Sequence, residues 1–225
     1  MSGRLLSLLR DRRSARPLLR DRRGVAFLEF ALGLPLFLGL TLTALEFGNF
    51  VMASNRVQRM AAMMSDLVAQ SGTGEVGISE KQIYDLFNAL DLTAKPFDLR
   101  NRGRVVITGV QGTDKDNNGS IENRILWQRF DGAYVQAAPL VGCAQSVAVA
   151  ALPNNRTLLL DEILFHVQVS YQYEPIFSVI PFGAVTLQPV ITRSVMFRAR
   201  SKDFTTPNPD PSFPPKKNCS TASGL

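Results

Sequence analysis

Few residues in this chain are of the types that catalyse reactions. Its 225 residues include one histidine, His166, and two cysteines, Cys143 and Cys219. Any serine-histidine-aspartate site would have to use His166, and the sequence contains no G-x-S-x-G motif for the nucleophile. His166 falls on the polar side of a segment in which apolar and polar residues alternate, so we expect a surface histidine. We predict no catalytic residue, no cofactor and no enzymatic activity.

A calcium loop is the second kind of site to consider. Asp114, Asp116 and Asn118 alternate ahead of Gly119, as in the first half of an EF-hand loop. The twelfth position of such a loop carries a bidentate glutamate, and here it is Ile125. We therefore favour a plain turn over a calcium site and predict no metal-binding residue. Calcium-dependent melting of a variant lacking the aspartates would test this prediction.

Positive charge is concentrated at the start of the sequence. The whole chain carries a net charge of +6, and residues 1–24 alone carry +6, from eight arginines and two aspartates. The remaining residues are neutral overall. A nucleic-acid-binding domain needs its cations on the folded surface, where they meet phosphates. We therefore predict no nucleic-acid partner.

Residues 25–45 form an apolar stretch in which Glu29 is the only ionisable residue. Its 21 residues suffice for a helix across a bilayer, whose hydrocarbon core takes about 20. A cleaved secretory signal would have a shorter apolar core that ends in small residues, so we favour a retained transmembrane helix. The arginines ahead of it place the N-terminus in the cytoplasm and the rest of the chain outside, by the positive-inside rule.

Glu29 is the unusual residue of this stretch. An acidic side chain in the middle of a membrane costs about 2.5–3.5 kcal/mol on insertion scales, so intramembrane carboxylates usually have a partner or lie near the surface. The position of Glu29 alone is compatible with either explanation.

The residues around Glu29 resemble the processing site of type IV pilin-like precursors, especially those of the tight-adherence (Tad) pilus system. The sequence reads RRG, four further residues, and then glutamate and an aromatic residue. In that family a membrane-embedded prepilin peptidase cuts after the glycine, which here implies a cut between Gly24 and Val25. The resemblance implies six recognition residues for the peptidase: Arg22, Arg23, Gly24, Val25, Glu29 and Phe30.

The similarity extends over roughly residues 22–70, which look like the signature helix of TadE-like proteins. It includes Pro35 and the Glu46, Phe47, Gly48 sequence. Residues 169–177 and 191–201 resemble, less specifically, segments of the periplasmic part of these proteins. The resemblance implies a minor pilin or pseudopilin of a Tad pilus in the bacterial inner membrane, either retained there or incorporated in an extracellular pilus used in adhesion or secretion.

The partners implied by this resemblance are other pilins and pseudopilins of the Tad system, the prepilin peptidase and an inner-membrane assembly platform, together with membrane lipid. The nearest alternative is an unprocessed single-pass protein whose outer domain is a scaffold for the pilus or secretion apparatus. A membrane-tethered periplasmic enzyme is the more distant alternative.

Beyond the membrane segment, apolar residues recur at helical spacing, at Val57, Met60, Met64 and Leu67. The long helix should therefore continue to about Gln70. A capping-box pattern formed by Ser79 and Gln82 predicts a short helix to about Leu90.

The spacing then changes to a period of two, which is typical of strands. Residues 104–110 and 121–130 flank a turn and predict a hairpin. Residues 163–173 alternate most clearly, so one face of that strand should be buried, and 186–199 predict another strand with Pro189 at an edge or bulge. A long helix, a short helix and an antiparallel sheet make an α+β fold of the pilin-like kind.

We therefore expect four regions. Residues 1–24 would be a basic cytoplasmic leader, 25–71 a transmembrane and extended helix, 72–203 a periplasmic α+β domain and 204–225 a proline-rich disordered tail. Both cysteines would lie outside the cytoplasm, where disulfides persist. We predict a bond between Cys143 and Cys219, because a mobile tail could reach back to the domain.

Overall fold

A computed structural model describes residues 23–71, 77–177, 189–200 and 206–225. Its longest element is helix α1, which spans Arg23–Gln70 and ends where the sequence predicts. The chain divides into two units, and α1 contributes to both. Of the described residues, the first unit contains 23–47 and 176–177, and the second contains all the others.

The first unit consists mainly of the apolar half of α1. Two threonines interrupt its apolar sequence, and each turns its hydroxyl back onto the helix. Thr41 donates to the carbonyl of Phe37 and Thr43 to the carbonyl of Gly39, both at 2.8 Å. These bonds satisfy the hydroxyls without water, so the segment remains compatible with an apolar environment.

In the second unit, helix α2 (Glu80–Ala94) begins with the predicted capping box. The Ser79 amide donates to the Gln82 side chain at 2.8 Å, and the Gln82 amide donates to the Ser79 hydroxyl at 3.3 Å. The helix ends four residues beyond the predicted Leu90 because its buried stripe continues to Ala94. A single-turn helix, α3, follows at Leu99–Arg102.

The second unit also contains a four-stranded antiparallel sheet, and the α+β fold is as predicted. The strands are β1 (Gly103–Thr113), β2 (Glu122–Asp131), β3 (Ile163–Gln172) and β4 (Val190–Arg198). Their order is β2-β1-β3-β4, so β1 and β2 form the expected hairpin and β4 lies at an edge. Pro189 immediately precedes β4, where a missing amide hydrogen does not interrupt the ladder.

The main core lies between one face of this sheet and the helices. The predicted stripe on α1 is correct except at its end, where Val68 is buried and Leu67 is exposed. The other face of α1 carries the exposed Met63, so of these neighbouring methionines only Met60 and Met64 are in the core. The core contains Ala53, Val57, Met60, Met64 and Val68 from α1, with Phe165, Val167 and Val169 from β3.

The opposite face of the sheet is also buried, which the sequence did not predict. The connection between β2 and β3, residues 132–162, covers it, and polar strand residues bind the backbone of this connection. The Gln168 side chain accepts from the Leu140 amide at 2.7 Å and donates to the Ala138 carbonyl at 3.0 Å. Polar alternation in β3 therefore reflects hydrogen bonding to a covering loop and not exposure to water.

The proline-rich tail contacts the domain along residues 206–225, where its composition predicts disorder. The Lys216 carbonyl accepts from the Phe130 amide at 2.9 Å, and the Pro214 carbonyl accepts from the Tyr84 hydroxyl at 2.7 Å. Buried Arg104 donates to the carbonyls of Cys219 and Thr221, at 3.1 and 2.6 Å. The tail has no regular secondary structure but is held by its carbonyls, which proline retains.

Candidate functional site

The apolar half of α1 offers a surface that no described part of the chain covers. All side chains from Gly24 to Leu38 are exposed, although most are large and apolar. From Gly24 onward the helix is long and apolar enough to cross a membrane. A side-chain set of this kind needs an apolar phase around it, either lipid or other apolar helices.

Glu29 lies on this surface with its carboxylate exposed. Within the described ranges, no hydrogen bond or ion pair reaches it, and Phe30 next to it is exposed as well. Val25 is one turn away on the same side of the helix. The chain thus presents an acid without a partner beside the position at which cleavage would create a new amine.

Gly24 has no structural reason to be glycine in this fold. Among the described residues, a Cβ atom at this position would have no neighbour within 4 Å, and the φ of Gly24 is not in the left-handed region. Neither packing nor backbone conformation therefore excludes a larger residue. Of the other predicted recognition residues, Arg23 is the first residue of α1, whereas Arg22 lies outside the described residues.

A second acid on α1, Glu46, has the opposite environment. Its side chain is 0 % exposed, and Oε2 accepts hydrogen bonds from the amides of Ile176, at 2.9 Å, and Phe177, at 3.2 Å. In the sequence, Glu46 is notable only as the first residue of the Glu46, Phe47, Gly48 motif. The signal available was an acid at the end of a long apolar run, but its donors lie 130 residues further along the chain.

His166 is buried, so the predicted surface histidine is wrong. Its side chain is 0 % exposed and faces the layer formed by residues 132–162, opposite Thr108 on β1 and Met196 on β4. In the described part of the chain, neither ring nitrogen has a hydrogen-bond partner. Burial lowers the pKa of His166 to about 4, because the charged ring would lose its hydration. Among the described residues, no serine or carboxylate is hydrogen-bonded to the ring.

In the acidic turn at 114–119, the Asp114 carboxylate accepts hydrogen bonds from backbone amides of the same turn. Asp114 accepts from the amides of Asn118, at 3.1 Å, and Gly119, at 2.8 Å. Asn117 and Gly119 have positive φ values of 48° and 81°, which suits asparagine and glycine. Across the ranges that the structure describes, no cluster of three potential metal ligands is found.

Two further features of the second unit connect distant parts of the chain. Cys143 and Cys219 form a disulfide with a Cα–Cα distance of 6.3 Å, which attaches the tail to the covering loop. Arg129 and Glu80 form a buried ion pair, in which Arg129 Nε lies 2.9 Å from Glu80 Oε2. This pair borders a cavity of about 520 Å³ that is also lined by Trp127 and the tail prolines Pro207, Pro209 and Pro215.

Comparison with known proteins finds a similarity within the helix that carries Glu29 and Glu46. Residues 24–64 match the family of TadE-like proteins. No curated protein and no solved structure matches the chain. The match begins at Gly24 and ends within the buried half of α1, so it contains both acids and omits the sheet. In the region of α1 that bears these two carboxylates, the chain is similar to TadE-like proteins.

Proposed function

We propose that the chain is a minor pilin or pseudopilin of a Tad pilus, cleaved after Gly24 by a prepilin peptidase and active through assembly with other subunits. The observation that carries this proposal is Glu29, which is exposed on an apolar helix and has no partner among the described residues. Its partners would be other pilins of the system and an inner-membrane assembly platform. The N-terminus would be cytoplasmic, because eight arginines precede the apolar stretch.

Cleavage between Gly24 and Val25 would change the chemistry at the start of the helix. It would remove the basic residues and leave a new α-amine on Val25. Glu29 would then be the fifth residue of the shortened helix, one turn from this amine. In an apolar surround, Glu29 of one subunit and the Val25 amine of its neighbour would offset each other's desolvation, which neither could do alone.

Gly24 supports the same proposal from another direction. Since packing and backbone conformation leave the position open, the small residue is explained by a requirement outside the folded chain. A peptidase that must fit the scissile bond into its active site supplies such a requirement. Arg22, Arg23 and Phe30 would contribute to the same recognition event.

Mass spectrometry of the membrane-extracted protein tests the processing step. An N-terminus at Val25 supports the proposal. An N-terminus at Met1 would instead support the alternative of an unprocessed single-pass scaffold with an outer interaction domain. The alternative has one favourable observation, since α1 already begins at Arg23 and the bond to be cut lies in its first turn.

The assembly step is tested by a Glu29→Ala variant, with Leu32→Ala as its matched control. Both positions are exposed on the same helix, but only the first carries charge. We expect Glu29→Ala to abolish incorporation into fibres, measured by immunoblotting of sheared pili, while Leu32→Ala retains most of it. Normal fibres and normal maturation of the Glu29→Ala precursor would overturn the proposed role of the acid.

A further inference from the structure

Glu46 fixes a non-helical part of the chain to the side of α1. Among the described residues, its carboxylate accepts backbone hydrogen bonds from Ile176 and Phe177, and all three residues belong to the first unit. Hydrogen bonds from amides to an ionised acceptor are stronger than those between neutral groups. They hold residues 176 and 177 at the level of residue 46 along the helix.

That level coincides with the end of a membrane-spanning length of helix. The 22 residues from Val25 to Glu46 extend about 33 Å at 1.5 Å each, close to the roughly 30 Å of a hydrocarbon core. The neighbours of Glu46 remain apolar and exposed, with Leu45 at 57 % and Phe47 at 55 %. The helix surface at this level is therefore still suited to lipid.

Ile176 has the same character, although it lies outside the helix. Its side chain is 62 % exposed, and its amide is one of the two that bind Glu46. A backbone amide facing hydrocarbon without an acceptor costs several kcal/mol, and a bare carboxylate there is also costly. The Glu46 carboxylate and the two amides satisfy one another, which allows irregular backbone at this depth.

We propose that Ile176 and Phe177 form a second membrane contact, which enters the outer edge of the bilayer beside α1 and is held there by Glu46. The partner is lipid, at the boundary between headgroups and acyl chains. The evidence for this partner is continuity with the exposed apolar surface of the same helix at the same level. The inference rests on the proposed crossing of a membrane by α1 and is independent of pilus assembly.

Single labelled cysteines test this contact. The only two cysteines of the chain are joined in a disulfide, so an introduced cysteine is the only free thiol. Ile176→Cys, Phe47→Cys and Leu159→Cys would each be labelled with an environment-sensitive fluorophore. The full chain would be reconstituted alone into phosphatidylcholine and phosphatidylglycerol vesicles, with nitroxide lipids as quenchers. Phe47 is the positive control, and Leu159, 67 % exposed in the second unit, is the matched negative control.

We expect the label at position 176 to lose most of its fluorescence to nitroxides near the headgroup, as the label at position 47 does, and the label at position 159 to lose little. In a Glu46→Ala background, quenching at 176 should fall to the level of position 159, while quenching at 47 stays unchanged. Unchanged quenching at 176 in that background would overturn the role of Glu46.

Quenching at 176 no greater than at 159, with strong quenching at 47, would overturn the lipid contact and leave the proposed function intact. Shielding of position 176 that required added pilin subunits would also overturn it, since the partner would then be protein. Absence of quenching at 47 would remove the membrane-crossing premise and count against both proposals.

Discussion

The two halves of helix α1 differ in what surrounds them. From Gly24 to Leu38 every side chain is exposed and most are apolar, whereas residues 53–69 bury a stripe against the sheet of their own chain. One continuous helix therefore carries an exposed apolar surface at one end and an intramolecular core at the other. Substitutions in the first half should change insertion and assembly, and substitutions in the second half should change the stability of the folded domain.

Removing one glutamate from each unit should give the largest difference in stability between the two regions. Glu80→Ala leaves the buried Arg129 guanidinium without its carboxylate and should lower the free energy of unfolding by about 3–5 kcal/mol. Glu29→Ala should leave the free energy of unfolding unchanged, because Glu29 is exposed and unpaired within the described ranges. Denaturant unfolding in detergent micelles, followed by fluorescence of Trp127, the only tryptophan, measures both.

A double variant separates the charge effect from packing at the same site. Replacing Glu80 by methionine and Arg129 by leucine removes both charges, so we expect a smaller loss than for Glu80→Ala alone. An equal or larger loss would mean that the side-chain packing of the pair, and not its charge balance, stabilises the domain.

Two apolar substitutions on α1 make the comparison along a single helix. Met64 is buried and Leu36 is 56 % exposed. Met64→Ala should cost about 2–5 kcal/mol, from lost transfer energy and the cavity left behind, while Leu36→Ala should stay within about 0.5 kcal/mol. The same fluorescence measurement applies. If the two losses were similar, the division of α1 into an outward-facing and a core half would be incorrect.

The last prediction concerns the loss of stability at low pH that is due to His166, on the covered face of the sheet. The folded state lowers the pKa of His166 from 6.5 to about 4, so folding favours the neutral ring. The stability due to His166 is complete well above pH 6.5 and is lost as the pH falls through 6.5 towards 4, by about 3 kcal/mol in total. Unfolding measured between these pH values should show a slope that His166→Met removes. An unchanged slope in that variant would assign the acid sensitivity to other groups.

Elements of this fold that depend on local sequence patterns could be predicted from the sequence, whereas contacts between distant residues could not. The capping box of Ser79 and Gln82 and the alternation of β3 are local patterns, so they predicted α2 and the sheet correctly. The prediction that His166 is exposed was wrong, because its burial depends on residues 132–162, which fold over the sheet and bind Gln168. No local pattern encodes that contact.

The candidate site shows the same division. The surroundings of Glu29 follow from the sequence, because an exposed apolar helix requires no distant residue. The surroundings of Glu46 depend on amides 130 residues away, which no spacing rule connects to it. The proline content of the tail predicted disorder, because proline lacks the amide hydrogen that regular structure uses. The tail is instead held through its carbonyls, which Arg104 binds from a distant part of the sequence.

Arg104 has a practical consequence for anyone shortening this protein. The composition of the proline-rich tail gives no reason to keep it, but its removal would delete the Cys219 and Thr221 carbonyls that Arg104 contacts. A guanidinium keeps its charge at any ordinary pH, so the truncated domain would enclose a cation that has lost most of its acceptors. Trimmed versions designed for expression or crystallisation should therefore keep residues 216–225, or replace Arg104 at the same time.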